Sequence, residues 1–254
     1  MNKKKILLIL IGESFRSGGQ GSRTKGYPDS FNEQHLCFKT HEKFIDKLEE
    51  KFDVFLKIFT YNTQYNQNII EWYSKYNSEI TFFKNVIGYD NLFQESISTV
   101  KKDEEYEFIF IFRIDLIFKY NFFENIPNDK IVFSSVCWIK SFLPPTDLHH
   151  KTSLNRHRVA DLMIFIPKKF INNLLLNQIK LCHESCDFMT NELYSNVGFI
   201  LNTYHDSDSY KDKNPLYRIA NRPESPIWYS EGYELGINPI INEDKNYFKI
   251  FIHG

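Results

Sequence analysis

The chain has 254 residues, 25% of them charged, and a formal net charge of -1. That is long enough to bury a substantial core within one domain, and the near-zero charge excludes a polybasic nucleic-acid binder or an acidic tail. Aromatics reach 17%, but Phe, Tyr, Ile, Asn and Lys are abundant together, and their AT-rich codons make this a signature of genome composition rather than of function.

The apolar run 6–11 follows three lysines but is too short for a signal peptide, and Glu13 and Arg16 stand where a small-residue cleavage site belongs. No stretch approaches a membrane span in length. The expectation is a cytoplasmic protein with residues 5–11 as its first buried strand. A Gly/Ser/Arg-rich loop, 12–29, follows. Ser30 then opens a helix with Glu33 completing a capping box, and Cys37, His41, Phe44, Ile45, Leu48 and Phe52 mark its apolar face.

Residues 54–60 read as a second strand, 67–76 as a helix and 80–83 as a short third strand. Asp90 is placed to cap a further helix to about residue 100. Next comes EYEFIFIFRIDLIFKY, residues 105–120, in which Phe108 to Phe112 are consecutively apolar, as in a strand buried on both faces. It ends in Arg113-Ile114-Asp115. Side chains two apart share a face of a strand, and a buried charged pair is costly unless it meets a cleft, ligand or metal. Ligand crevices of open α/β sheets lie at the carboxyl ends of the strands, which is where this pair sits.

The second half is less regular. Residues 131–134 and 162–166 read as strands separated by a polar loop with a basic cluster, His149 to Arg158. Pro167 opens a helix to about residue 178. A helix near 184–194 and a strand near 197–201 come next, and 202–230 read as loop. The order predicts an α/β fold built on a doubly wound, mostly parallel sheet flanked by helices. No repeat, low-complexity tract or linker divides the chain, so a single domain over 1–254 is expected.

Several clusters bear chemistry. The loop GESFRSGGQGSR offers Ser14, Gly18 and Gly19, whose backbone amides can approach phosphate oxygens, and Arg16 and Arg23 as bidentate clamps. It contains neither a Walker sequence nor Gly-x-Gly-x-x-Gly. Tyr61 and Asn62, just past the second strand, are candidates for base or ribose contact. His205, Asp206 and Asp208 provide ligands suited to Mn or Mg. Asp161, Glu184 and Asp187 are candidate carboxylates for hydroxyl binding or general-base work. The four cysteines have no zinc-ribbon or disulfide spacing, and Cys182 and Cys186 read as reduced thiols on one helical face.

With SFRSGGQGSR, FRIDLIF and NTYHDSDS in this order, the chain resembles nucleotide-sugar glycosyltransferases of the GT-A fold, and is similar to the small ones encoded by large DNA viruses. The resemblance implies a GT-A-like, Rossmann-like sheet, a nucleotide-binding half over about 1–120 and an irregular acceptor half over 121–254. It implies transfer from a UDP- or GDP-sugar to a hydroxyl of a glycan or glycoprotein, in the host cytoplasm if the source is viral, with no nucleic-acid partner. Arg113-Ile114-Asp115 takes the place of the family's Asp-x-Asp. Asp115, His205 and Asp208 would then hold Mn or Mg, and Arg113 would join Ser14, Arg16, Gly18, Gly19, Arg23, Tyr61 and Asn62 on the donor. Arg113 stands where the motif has its first Asp, leaving one carboxylate and adding a cation. Asp161 would hold sugar hydroxyls, and Asp187 or Glu184 would serve as base. The competing readings are a sulfuryl or phosphoryl transferase, suggested by RSGG but lacking the P-loop lysine, and a catalytically inactive sugar-binding domain.

Overall fold

The computed structural model describes residues 3–15, 31–101, 104–117, 128–133, 163–181, 189–194, 196–199, 233–236 and 247–250. The first half alternates as expected: β1 (Lys4–Ile11), α1 (Phe31–Glu49), β2 (Phe52–Tyr61), α2 (Asn66–Tyr73), β3 (Ser78–Phe83), α3 (Tyr89–Ser98) and β4 (Phe108–Arg113). Then come β5 (Leu116–Ile117), β6 (Ile131–Phe133), β7 (Met163–Pro167), α4 (Ile171–Leu175), α5 (Asn191–Tyr194), β8 (Val197–Phe199), β9 (Tyr233–Gly236) and β10 (Tyr247–Ile250).

A seven-stranded sheet runs β3-β2-β1-β4-β7-β6-β8. β1 pairs parallel with both β2 and β4, β2 with β3, and β6 with β8. Only β7 runs against its neighbours in that sheet. The α/β class with a mostly parallel sheet is therefore as the sequence reads. The antiparallel β7 is a departure, and its reason is simple: antiparallel neighbours need no crossover helix, and 134–162 carries no helical pattern. Nor is the second half merely irregular. β6, β7 and β8 extend the sheet, while β5, β10 and β9 form a separate three-stranded antiparallel sheet.

Apolar alternation sorts the core into two layers. Ile6, Leu8 and Leu10 of β1 and Phe108, Phe110 and Phe112 of β4 face α1 and α2, packing with Phe38, Phe44, Ile45, Leu48, Ile69 and Tyr73. Leu7, Ile9 and Ile11 with Ile109 and Ile111 face the other way, against Leu92, Phe93 and Ile97 of α3 and Leu174 of α4. Helices thus cover both faces, and both central strands must be apolar throughout. Among the described residues no helix is long and apolar enough to cross a membrane.

Local differences have local causes. The α1 face is buried at Cys37, His41, Phe44, Ile45 and Leu48, but Phe52 belongs to β2. Ser30, the expected cap, lies outside the described residues. Asp90 is not the cap of α3: Gly88 holds that position at φ 78, and Asp90 lies in the first turn, where its charge suits the helix dipole. Pro167 closes β7 in an extended conformation, and a 3-10 turn (Lys168–Phe170) leads into α4. That helix ends before residue 178 because Asn177 turns left-handed at φ 53.

Phe110, fully buried in β4, meets Phe165 at 4.9 Å, Phe112 at 5.0 Å and Phe44 at 5.9 Å between ring centroids. Phe110→Ala is expected to lower unfolding free energy by about 3–5 kcal/mol, measured by urea denaturation. A loss below about 1 kcal/mol would mean that the site is not packed as described.

Candidate functional site

β1 to β3 step outward to one side, and the chain then returns to place β4 on the other side of β1. The junction of β1 and β4 is therefore the switch point of the sheet, and the crevice beyond their carboxyl ends is where doubly wound sheets take ligands.

On the β1 side the chain turns through Gly12, Glu13, Ser14 and Phe15. Gly12 has φ 122, a value that favours glycine, and donates its N–H to the Phe59 carbonyl at 3.1 Å. Ser14 is buried against Thr60. Its N–H donates to Thr60 Oγ1 at 3.0 Å, and the Thr60 hydroxyl donates to Ser14 Oγ at 2.8 Å. Phe15 adopts φ 57, uncommon for a residue with a side chain. Its N–H donates to Gln34 Oε1 at 3.1 Å, and its ring is fully buried against Tyr65, Phe31 and Trp72 at 4.8, 5.7 and 5.8 Å. Glu13 is also buried, and its negative charge adds to burial in raising the pKa of the Tyr61 hydroxyl. That hydroxyl donates to the Gly88 carbonyl at 3.4 Å.

On the β4 side Arg113 and Asp115 point the same way and close on each other. Nε donates to Oδ1 and Nη2 to Oδ2, both at 2.9 Å, with side-chain exposures of 20% for Arg113 and 3% for Asp115. The guanidinium also lies over the Tyr89 ring at 6.0 Å. Between them Ile114 turns into the opposite core layer and donates its N–H to the Ile11 carbonyl at 2.8 Å.

α1 holds the backbone on both sides of Asp115. Gln34 Nε2 donates to the Ile114 carbonyl at 2.9 Å, and His41 Nε2 donates to the Leu116 carbonyl at 2.6 Å. A carbonyl only accepts, so the network assigns the proton to Nε2 and leaves Nδ1 to accept from the Tyr73 hydroxyl at 2.7 Å. Burial pushes the His41 pKa down to about 4, against the smaller raising effects of the Leu116 carbonyl and the Asp115 charge.

Of the residues singled out from sequence, the structure brings Ser14, Tyr61, Arg113 and Asp115 to this edge of the sheet. Asn62 follows β2, exposed, donating its N–H to the Phe83 carbonyl at 2.8 Å and accepting from the Asn66 side-chain amide. Arg16, Gly18, Gly19, Arg23, Asp161, Glu184, Asp187, His205, Asp206 and Asp208 lie outside the described residues, as do Cys182 and Cys186. Sequence reading missed Glu13, Gln34, Thr60 and Tyr89. Two signals were present: a carboxylate two residues past the buried run Ile6 to Ile11, and a polar Gln34 in register with the buried stripe Cys37, Phe38, His41 and Ile45.

Asp115 is the one expected cation ligand among the described residues, and both its oxygens already accept from Arg113. Among the described residues no three His, Cys, Asp or Glu side chains gather as a metal set. These residues by themselves therefore do not form a divalent-cation site.

No family model matches the sequence, and no curated protein matches it. Among solved structures, the chain is similar to 4-diphosphocytidyl-2C-methyl-D-erythritol synthase from Anaerococcus prevotii, with 12% identity and a TM-score of 0.41 over 80% of this chain and 90% of that one. It is also similar to the apo-form glycosyltransferase GlyE of Streptococcus pneumoniae, with 8% identity and a TM-score of 0.35. That match covers 77% of this chain and 42% of GlyE.

His41 gives the site a pH signature. Between pH 6.5 and about 4 the unfolded chain protonates His41 while the folded chain excludes the proton. Its contribution is flat above that window, and stability falls as pH drops through it. Between pH 7 and 4.5 the wild type is expected to lose about 2–3 kcal/mol more than His41→Gln, measured by denaturant titration at each pH. An equal loss in both proteins would contradict the buried neutral imidazole.

Proposed function

We propose that this protein is a glycosyltransferase that moves a sugar from a UDP- or GDP-sugar to a hydroxyl of a glycan or glycoprotein. The observation that carries the reading is the convergence, at the switch point of the sheet, of the Gly12–Ser14 turn with the Arg113–Asp115 pair. The turn leads directly into the segment that holds Arg16, Gly18, Gly19 and Arg23. Breaking a sugar–phosphate bond builds negative charge on the departing nucleoside diphosphate, and fixed cations at that point favour departure. Arg113, Arg16 and Arg23 are the cations of this reading, with glycine amides on the phosphates and Asn62 and Tyr61 toward the base or ribose.

In the same reading Asp161 holds donor-sugar hydroxyls. Asp187, or Glu184, removes the proton from the attacking hydroxyl if the anomeric configuration inverts. Mn or Mg, if used, is held by Asp115 with His205 and Asp208 supplying the ligands that the described residues lack. It would add Lewis-acid stabilisation of the leaving diphosphate. Residues 1–120 carry the donor and 121–254 the acceptor.

The test is calorimetry and thermal shift with UDP, GDP and their sugars, in Mn and in EDTA. One nucleotide series is expected to stabilise the protein by about 1.4 kcal/mol or more at ligand tenfold above its Kd. Asp115→Ala is expected to fold and to lose about tenfold in Mn-linked affinity, near 1.4 kcal/mol. No stabilisation at millimolar ligand overturns the nucleotide reading. Equal wild-type affinity in Mn and EDTA removes the metal and leaves Arg113 as the counter-charge. Turnover of the bound sugar nucleotide separates an enzyme from a sugar-binding domain.

A further inference from the structure

We propose that Gln34 is a positioning residue that ties the two walls of the crevice together, setting where Asp115 stands relative to the turn after β1. The proposal rests on reading that crevice as the nucleoside-diphosphate site.

The Gln34 side chain is 3% exposed and lies in the first turn of α1. Its oxygen accepts the Phe15 N–H at 3.1 Å and its nitrogen donates to the Ile114 carbonyl at 2.9 Å, partners 19 and 80 residues away in sequence. Few side chains serve both at once. A primary amide presents a donor and an acceptor on one planar group, whereas a carboxylate only accepts and a thioether does neither usefully. Both backbone groups are buried, so each needs its partner.

The two contacts fall at informative places. Phe15 holds a left-handed φ of 57, a conformation that must be maintained by its surroundings. Ile114 separates Arg113 from Asp115 and donates to the Ile11 carbonyl at 2.8 Å. A continuous line of hydrogen bonds therefore runs from the β1 turn through Gln34 to the β4 end and back to β1. Support from a helix fixes such geometry more tightly than a loop would. His41, two turns along the same face, repeats the arrangement at the Leu116 carbonyl.

The experiment uses the full chain with Gln34→Met, which keeps length but neither hydrogen bond, and Cys37→Ala, a buried change one turn further along α1. Amide exchange at Phe15 and the carbonyl 13C shift of Ile114 are followed by NMR, and UDP and GDP affinity by calorimetry, where each variant is fully folded. Gln34→Met is expected to speed exchange at Phe15, whose N–H loses its acceptor, about tenfold and to weaken the bound nucleotide about tenfold, the effect of losing roughly one hydrogen bond. Cys37→Ala is expected to lose stability and change neither readout.

If Gln34→Met does not fold, Gln34→Glu replaces it. That variant keeps the acceptor for Phe15 and loses the donor to the Ile114 carbonyl, so the Ile114 carbonyl 13C shift is expected to move while Phe15 stays protected. Unchanged Phe15 exchange in folded Gln34→Met, or an unchanged Ile114 carbonyl shift in folded Gln34→Glu, overturns the proposal. So do losses that follow stability equally in both α1 variants. If the wild type binds neither nucleotide, the functional reading fails, and exchange at Phe15 with the Ile114 carbonyl shift decides the tie by itself.

Discussion

A guanidinium and a carboxylate set at the end of a strand buried on both faces must neutralise each other, and the carboxyl edge of the sheet is organised around that requirement. Arg113 and Asp115 meet it with two parallel hydrogen bonds. Their pairing forces Ile114 to the opposite side, where it is fully buried in the layer beneath α1. At Ile114 and Asp115 the backbone leaves the strand. It turns, and β5 leaves to pair with β10 in a different sheet. Asp115 is buried and Arg113 partly open, and in the proposed reading it is the Arg113 side that a diphosphate would meet.

α1 connects that edge to the rest of the fold. Its buried stripe is mostly apolar, but Gln34 and His41 interrupt it where each donates to a backbone carbonyl. Each substitution of polar for apolar would be unfavourable in an ordinary helix–sheet contact. Here each satisfies a backbone carbonyl next to Asp115. The helix thereby does two things, covering the sheet and fixing the crevice. Because His41 reaches α2 through Tyr73, the second helix is tied to the same point.

The central strands were legible because uninterrupted apolar runs have few alternatives: β1 and β4 fall within a residue of their expected positions, with every residue from Phe108 to Phe112 buried. The charged pair was legible from the energetic cost of burial, but the sequence suggested a cleft, ligand or metal as its partner, whereas the two residues first satisfy each other. The strands missed, β5, β9 and β10, are short, and β5 pairs with residues more than a hundred positions later. Local pattern carries no record of such pairing. The direction of β7 was open for a related reason, since an apolar run marks a strand and not its polarity. Gln34 was visible on the stripe of α1, but a residue's face is local information and its partners at Phe15 and Ile114 are not.

Backbone amide NMR during titration with UDP and GDP tests most directly whether the switch point of the sheet is the nucleotide site. The expected result is that the largest shift changes fall on Gly12 to Phe15 and on Arg113 to Asp115, with the interior of β1 and β4 unmoved. Saturable changes confined to the far edge of the sheet, at β6 and β8, would contradict that placement.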